Sequence, residues 1–244
     1  RVNRRGEATV IGPQVREYGP PRLSPDGRRI AVAIGGPSQR DIWVYDIASS
    51  TLTRLTDTGR TSSPEWSPDG RRILWTGSET TQGAPGEPPR MLRGTWWRPF
   101  DASAPPELLV RDALGAKFVA ETGFITGAFQ GGGTGIGGET RLFPVGTNAG
   151  MQARRLLPTT AIYRQHRPSP DGEWIAYVSD EGGTSEVFVQ RIAGTGGRFQ
   201  VSTGTGSEPM WARDGSELFY RSGAVLVAAR LSLKSEFAVL RRDT

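Results

Sequence analysis

The sequence contains no cysteine, a single histidine (His166) and only two lysines against 28 arginines in 244 residues. Without cysteine there is no disulfide framework, no thiolate metal site and no cysteine nucleophile. One histidine excludes multi-histidine metal centres and leaves a single imidazole for acid–base work. Long apolar runs are missing as well. The longest, Ala224–Ala229, is far short of the ~20 residues that span a bilayer. The N-terminus, Arg1-Val-Asn-Arg-Arg5, shows neither a secretory signal pattern nor an initiating methionine. The chain is therefore expected to be processed, or to be a piece of a longer protein.

Glycine and proline are abundant: 33 and 18 residues, about a fifth of the chain, so turns are frequent and long helices few. The length suffices to bury a substantial core. A formal charge of +5 and a pI near 10.0 invite a nucleic-acid reading, but the charge is badly distributed for it. Residues 1–29 carry a net +4 and residues 230–244 a net +2, leaving −1 for the 200 residues between. Duplex binding needs a continuous basic stripe that neutralises successive phosphates, and no helix-turn-helix, finger or RNA-binding motif is present. Nucleic acid is not an expected partner, and no membrane insertion is expected within this chain.

Internal similarity organises the rest. Ser24-Pro-Asp-Gly27, Ser67-Pro-Asp-Gly70 and Ser169-Pro-Asp-Gly172 are identical, and Arg213-Asp-Gly215 is a near copy. Asp26 and Asp69 are 43 residues apart, as are Asp171 and Asp214, and the interval of 102 between them accommodates two lengthened units. A degenerate mark, Glu121-Thr-Gly123, lies in that gap ahead of Phe124-Ile125. In each tetrapeptide proline fixes φ at the second turn position. Asp accepts nearby backbone N–H groups, and Gly supplies the positive φ where the next strand begins. Asp26, Asp69, Asp171 and Asp214 are thus read as turn-stabilising residues.

Each turn is followed by a short alternating strand: Arg28–Ala33, Arg71–Trp75, Glu173–Val178 and Ser216–Tyr220. Third strands are expected at Asp41–Asp46, Thr140–Phe143, Glu186–Gln190 and Ala224–Val227. Fourth strands are expected at Thr51–Leu55, Glu107–Val110, Arg154–Leu157 and Phe199–Ser202. Four short strands per repeat is the pattern of a β-propeller blade. The predicted fold is all-β, a single propeller domain over residues 1–244 with antiparallel four-stranded blades near 20–57, 63–110, 116–157, 166–202 and 208–240. Residues 1–11 are read as outer strands of a partial sixth blade. Either its inner half lies upstream of Arg1, or the C-terminal strand Phe237–Leu240 joins the N-terminal one. Such closure would bring the charged terminal strands together.

These residues resemble the TolB-type, WD-like propeller repeat, whose mark is a [W/F]-S-P-D-G turn followed by a short apolar strand. Related propellers usually have six blades. Tyr18–Gly27, Ser179–Gln190 and Gly196–Thr203 look most similar to the C-terminal propeller of bacterial eukaryotic-like serine/threonine kinases. That resemblance implies an extracytoplasmic (periplasmic) sensor or interaction domain, with a transmembrane segment and a kinase upstream. The third unit departs from the family by losing its turn motif, and no kinase sequence is present.

Gly133, Gly135 and Gly138 spell a G-x-G-x-x-G, but strand-like residues flank it on both sides, so a hairpin loop is favoured over a phosphate cradle. His166 precedes the fourth turn motif, where a loop entering an inner strand would reach the axial face. With no matching nucleophile and acid, a packing or surface role is favoured over catalysis. The four turn aspartates lie one per blade and no Ca²⁺ loop occurs, so neither metal nor cofactor is expected. Trp66 and Trp211 are in phase and are expected to pack between blades. Of the adjacent Trp96 and Trp97, which point to opposite faces, one is expected to be exposed.

The expected function is non-catalytic binding of a protein or small molecule at the axial face. That face is built from the loops entering the inner strands (Arg16, Glu17, Tyr18, Arg60, Thr61, Tyr163, Arg164, His166, Ser207 and Glu208) and from the long connections 79–90 and 130–138. Tyr18, Arg60, Tyr163, Arg164 and Glu208 are the candidate ligand-facing residues. Two rivals are a free-standing periplasmic TolB-like protein of a Tol–Pal-type system and the substrate-gating propeller of a prolyl-oligopeptidase-type hydrolase. Sequence upstream of Arg1 and downstream of Thr244 separates them.

Overall fold

Each Ser-Pro-Asp-Gly tetrapeptide closes its hairpin with the same set of bonds. The computed structural model describes residues 7–12, 17–36, 38–81, 88–119, 123–129, 140–144, 153–157, 163–194, 196–233 and 237–244. At the first turn Ser24 N donates to Arg29 O at 2.8 Å and Gly27 N to Ser24 O at 2.9 Å. The Ser24 hydroxyl donates to Asp26 Oδ1 and accepts from Arg29 N, while Arg28 N donates to the same carboxylate oxygen. Ser67 with Asp69 and Ser169 with Asp171 repeat the pattern. In the fourth turn Ala212 replaces the serine, and Ser216 compensates by donating both its amide and its hydroxyl to Asp214 Oδ1. Gly27, Gly70, Gly172 and Gly215 sit at φ of 73°, 69°, 73° and 72°, where a side chain is strained.

Among the described residues twenty strands form five four-stranded sheets, and no helix occurs. The first sheet holds β1 (Arg22–Leu23), β2 (Arg29–Ile34), β3 (Asp41–Asp46) and β4 (Thr51–Arg54). The second holds β5 (Thr61–Trp66), β6 (Arg72–Thr81), β7 (Arg90–Pro99) and β8 (Glu107–Arg111). The third holds β9 (Ala113–Val119), β10 (Gly123–Phe129), β11 (Arg141–Pro144) and β12 (Arg154–Arg155). The fourth holds β13 (Tyr163–Pro168), β14 (Trp174–Ser179), β15 (Glu186–Arg191) and β16 (Arg198–Gln200). The fifth holds β17 (Ser207–Trp211), β18 (Glu217–Ser222), β19 (Val225–Ser232) and β20 (Ala238–Asp243). Each sheet is antiparallel with its strands in sequence order. This is the all-β propeller fold, with four-stranded blades.

Some expectations need amendment. The connection placed at 79–90 is shorter, because β6 runs on to Thr81 and β7 begins at Arg90. The C-terminal strand pairs with β19, Ala228 opposite Asp243 and Ser232 opposite Ala238. The third sheet forms without a turn tetrapeptide. At Gly123 a Cβ would lie 2.5 Å from Phe143 O, so only glycine admits this approach of β10 to β11. Residues 1–6, Arg16, Glu121-Thr122 and the glycine-rich 130–138 lie outside the described residues.

The chain divides into two compact units, Arg1–Ala116 and Lys117–Thr244. In the first, Ala31, Ala33, Ile42 and Val44 of the first sheet bury against Ile73, Trp75 and Trp96 of the second. In the second unit, Trp174, Ala176, Val178, Val187 and Val189 of the fourth sheet pack on Leu218, Tyr220, Val227 and Ala229 of the fifth. A further cluster joins Val119, Leu156 and Leu157 to Tyr163, Ile175 and Tyr177. Alternation along each strand sends every second side chain into these layers. Trp96 is buried and Trp97 half-buried, its ring under the Arg72 guanidinium.

The sheets of each unit are joined by hydrogen bonds in phase with the repeat. Trp66 Nε1 donates to Arg22 O and Trp211 Nε1 to Arg167 O, both at 2.9 Å. A buried polar latch leads from the first sheet into the second: Thr56 Oγ1 accepts from Ile42 N and bonds Asp41 and Thr61. Ser202 in the second unit repeats the part of this latch made within one sheet, accepting from Val187 N and donating to Glu186.

Candidate functional site

The first strands of three sheets carry a β-bulge at the same repeat position. The register shifts between Ser62 and Glu65, between Arg164 and Arg167, and between Ser207 and Met210. Each bulge holds a non-glycine residue in the left-handed region: Ser63 at φ 54°, Gln165 at 55° and Glu208 at 54°. Bulges of this kind re-aim side chains, and non-glycine residues in this region concentrate at functional sites. In the second unit the two bulges are tied together, because Glu208 N donates to Gln165 Oε1 at 2.6 Å.

Beside them lies the β14–β15 hairpin turn, Asp180-Glu181-Gly-Gly-Thr-Ser185. Arg164, exposed, pairs with Asp180 at 2.8 Å. The Tyr163 hydroxyl donates to Glu181 Oε1 at 3.2 Å, and Arg198 pairs with the same carboxylate. Behind this charged rim, the Tyr163 ring meets Tyr177 edge-on at 5.4 Å and Tyr177 stacks on Phe188 at 6.0 Å. Burial pushes the Tyr177 hydroxyl well above the usual phenol range. The result is an aromatic base capped by an alternating array of Arg164, Asp180, Glu181 and Arg198, suited to hydrogen-bonding and ion-pairing a ligand.

Three of the five candidate residues thus share one rim: Tyr163, Arg164 and, through Gln165, Glu208. Tyr163 is buried, contributing its hydroxyl rather than its face. The other two belong to the first unit. Tyr18 is 43% exposed and bridges Ile34. Arg60 is exposed, with Nη1 3.6 Å from Met91 Sδ. The sequence reading missed Gln165, Asp180, Glu181 and Arg198. The Asp-Glu-Gly-Gly turn was the available signal, but its position beside Tyr163 follows only from the strand pairing.

Other expectations about the site are corrected. His166 and Thr61 lie within β13 and β5, not in loops, and both are buried. His166 Nε2 is 3.0 Å from Thr140 Oγ1, and burial, with Lys117 and Arg167 nearby, pushes its pKa down to about 4. His166 is therefore a packing residue, as favoured from the sequence, in contact with Thr140. Glu79, unremarked in the sequence, is buried at the far end of β6, where it accepts from Trp75 Nε1 at 3.2 Å. Burial pushes its carboxyl up to about 7. Ser24 and the Arg28 amide hold Asp26 below the usual carboxylate range, and the Ser216 amide and hydroxyl do the same for Asp214. Among the described residues no group of three or more acidic or histidine side chains is placed to hold a metal ion. No helix among them is long and apolar enough to cross a membrane.

No family model and no curated protein matches the sequence. Solved structures do match in fold. TolB from Acinetobacter baumannii superposes with a TM-score of 0.68 at 21% identity, over 91% of this chain and 53% of that one. The β-propeller domain of Myceliophteria thermophila Cps50 (Swd1) gives 0.62 at 10% identity, over 93% and 74%. A prolyl endopeptidase gives 0.51 at 15% identity, over 91% and 42%. The chain thus has a TolB-like β-propeller fold and spans about half the length of the Acinetobacter TolB.

Proposed function

We propose that the chain is a non-catalytic binding module, which takes a protein or small-molecule ligand on the rim formed by Tyr163, Arg164, Asp180, Glu181, Arg198 and Glu208. The observation that supports this most is the pair of bulges at Gln165 and Glu208, held in an unfavourable backbone region and linked by one hydrogen bond. Non-glycine residues in this backbone region concentrate at ligand-binding and active sites. The finer reading is the extracytoplasmic sensor or interaction domain of a larger bacterial protein such as a receptor-type serine/threonine kinase. It rests on the resemblance of Tyr18–Gly27 and Ser179–Gln190. The TolB-like fold also suits a free-standing periplasmic TolB-like protein. The prolyl endopeptidase likeness suits a gating propeller.

The test uses the immobilised chain to capture partners, each then purified and titrated by calorimetry. Arg164→Ala and Arg198→Ala are expected to weaken binding roughly fivefold or more without changing the melting temperature by more than a degree or two. Unchanged affinity in both overturns the proposal. Alanine at Tyr163 is unsuitable, since it removes a buried ring packed on Tyr177. Tyr163→Phe isolates the hydroxyl instead.

A further inference from the structure

The second sheet differs from its sisters in length. β6 and β7 have ten residues each, whereas β2, β14 and β18 have six. Pairing continues from Gly77 opposite Gly94 through Ser78–Arg93, Glu79–Leu92 and Thr80–Met91 to Thr81–Arg90. The neighbours stop earlier: β5 begins at Thr61 opposite Gly77, and β8 ends at Arg111 opposite Gly94. The last four pairs therefore form a two-stranded ribbon beyond the sheet.

Alternation gives the ribbon two unlike faces. One carries Leu92, packed on the core of the first unit, and the buried Glu79. The other carries a row in which Ser78 lies between Arg60 and Arg93, since Ser78 N donates to Arg60 O and Ser78 pairs with Arg93. Met91 lies in the next row on this face, 54% exposed and touching the Arg60 guanidinium. Both arginines are exposed, and among the described residues neither has an ion-pair partner. Asp112, which follows Arg93 in the row through its amide bond to Arg93 O, makes no ion pair among the described residues. Elsewhere Arg22, Arg54, Arg164 and Arg198 are neutralised by Glu65, Asp41, Asp180 and Glu181. Ser78 separates the two arginines in the row, and the carboxylate nearest along the ribbon, Glu79, is on the opposite face.

We propose that this face of the ribbon is a docking surface for an acidic extended segment of a partner protein. Carboxylates of the segment meet Arg60 and Arg93 above Ser78, and an apolar side chain packs on Met91. The spacing suits this. Two strand separations put the arginine backbones about 10 Å apart, and their long side chains converge on acids two residues apart, about 7 Å, in an extended chain. Guanidinium groups take carboxylates in a planar, two-point geometry. The inference rests on the binding reading above and adds a partner chemistry and a second surface.

The test is fluorescence anisotropy with a labelled Gly-Glu-Leu-Glu-Gly peptide and its glutamine analogue. The acidic peptide should bind at low salt, weaken as salt rises, and lose roughly fivefold or more of its affinity on Arg60→Glu or Arg93→Glu. Arg71→Glu makes the same charge change at the opposite end of β6 and should stay within about twofold. Circular dichroism checks that each variant folds. Equal binding of the glutamine analogue, an Arg71→Glu loss as large as that of Arg60→Glu, or tighter binding of inorganic phosphate overturns the proposal. Captured partners separate the two surfaces. A partner weakened by Arg164→Ala but not by Arg60→Glu or Arg93→Glu leaves the binding function standing and removes the ribbon from it.

Discussion

Trp211 donates its indole N–H to the backbone carbonyl of Arg167 across the gap between two sheets, at 2.9 Å. Trp66 makes the same bond, at the same length, to the carbonyl of Arg22. A bond that recurs in phase in the two units belongs to the repeat itself. Trp66→Phe keeps most of the ring packing and deletes the donor, so it is expected to cost about 1 kcal/mol. Trp66→Ala should cost about 3–5 kcal/mol because the site is buried. Chemical denaturation followed by circular dichroism measures both, and equal losses would show that the hydrogen bond carries nothing of its own.

The turn hydroxyl is a second point of failure. Ser67 Oγ accepts from Arg72 N at 2.8 Å, donates to Asp69, and is buried. Ser67→Ala orphans that amide and should destabilise by about 1–3 kcal/mol. The exposed fourth turn lacks this serine, so Ser216→Ala should be milder in the same melting series.

Glycine at the turns answers to backbone conformation rather than to space. A Cβ at Gly27 would meet nothing within 4 Å, and one at Gly70 would be 3.6 Å from Pro25. Gly27→Ala and Gly70→Ala should therefore cost similar amounts, about 1–2 kcal/mol each, from the left-handed φ. A much larger loss at Gly70 would point to crowding instead.

Two buried groups give opposite pH slopes. His166 has a folded pKa near 4, below its ordinary 6.5, so the unfolded chain takes up the proton first. Stability should fall as pH drops from about 6.5 towards 4, by on the order of 3 kcal/mol, and His166→Gln should flatten that limb. Glu79 is raised from 4.5 to about 7. Its stabilising share is full below pH 4.5 and is lost as pH rises through 7. Glu79→Gln should raise the melting temperature at pH 8 and leave it nearly unchanged at pH 4. Scans across pH with both variants separate the two contributions.

The parts of this fold that could be read from sequence are those whose chemistry is local. Ser-Pro-Asp-Gly dictates its own turn, so four hairpins and their flanking strands were legible. The third sheet kept its strand pattern at Arg141–Pro144 and Arg154–Arg155 although its turn motif is gone. By contrast, β7 mixes Arg, Gly and Trp over ten residues and gave no clean alternation, so the ribbon was taken for a loop. The left-handed Ser63, Gln165 and Glu208 were invisible, since none is glycine and each conformation is imposed by strand pairing. Arg164 and Tyr163 were named from repeat position alone. Their carboxylate partners come from the adjoining hairpin, and Arg198 from the strand β16, beyond the reach of a local pattern.

The joint made by Trp66 and Trp211 also bears on how such a repeat can change over generations. Its donor is a side chain, but its acceptor is backbone, and most substitutions leave a backbone carbonyl in place. The residue at the acceptor position is Arg22 in one sheet and Arg167 in another, and the equivalent positions elsewhere hold Glu65 and Met210. Heritable variation can thus accumulate freely on one side of the joint while the other is held to tryptophan, letting neighbouring units diverge in surface chemistry without losing their grip on each other.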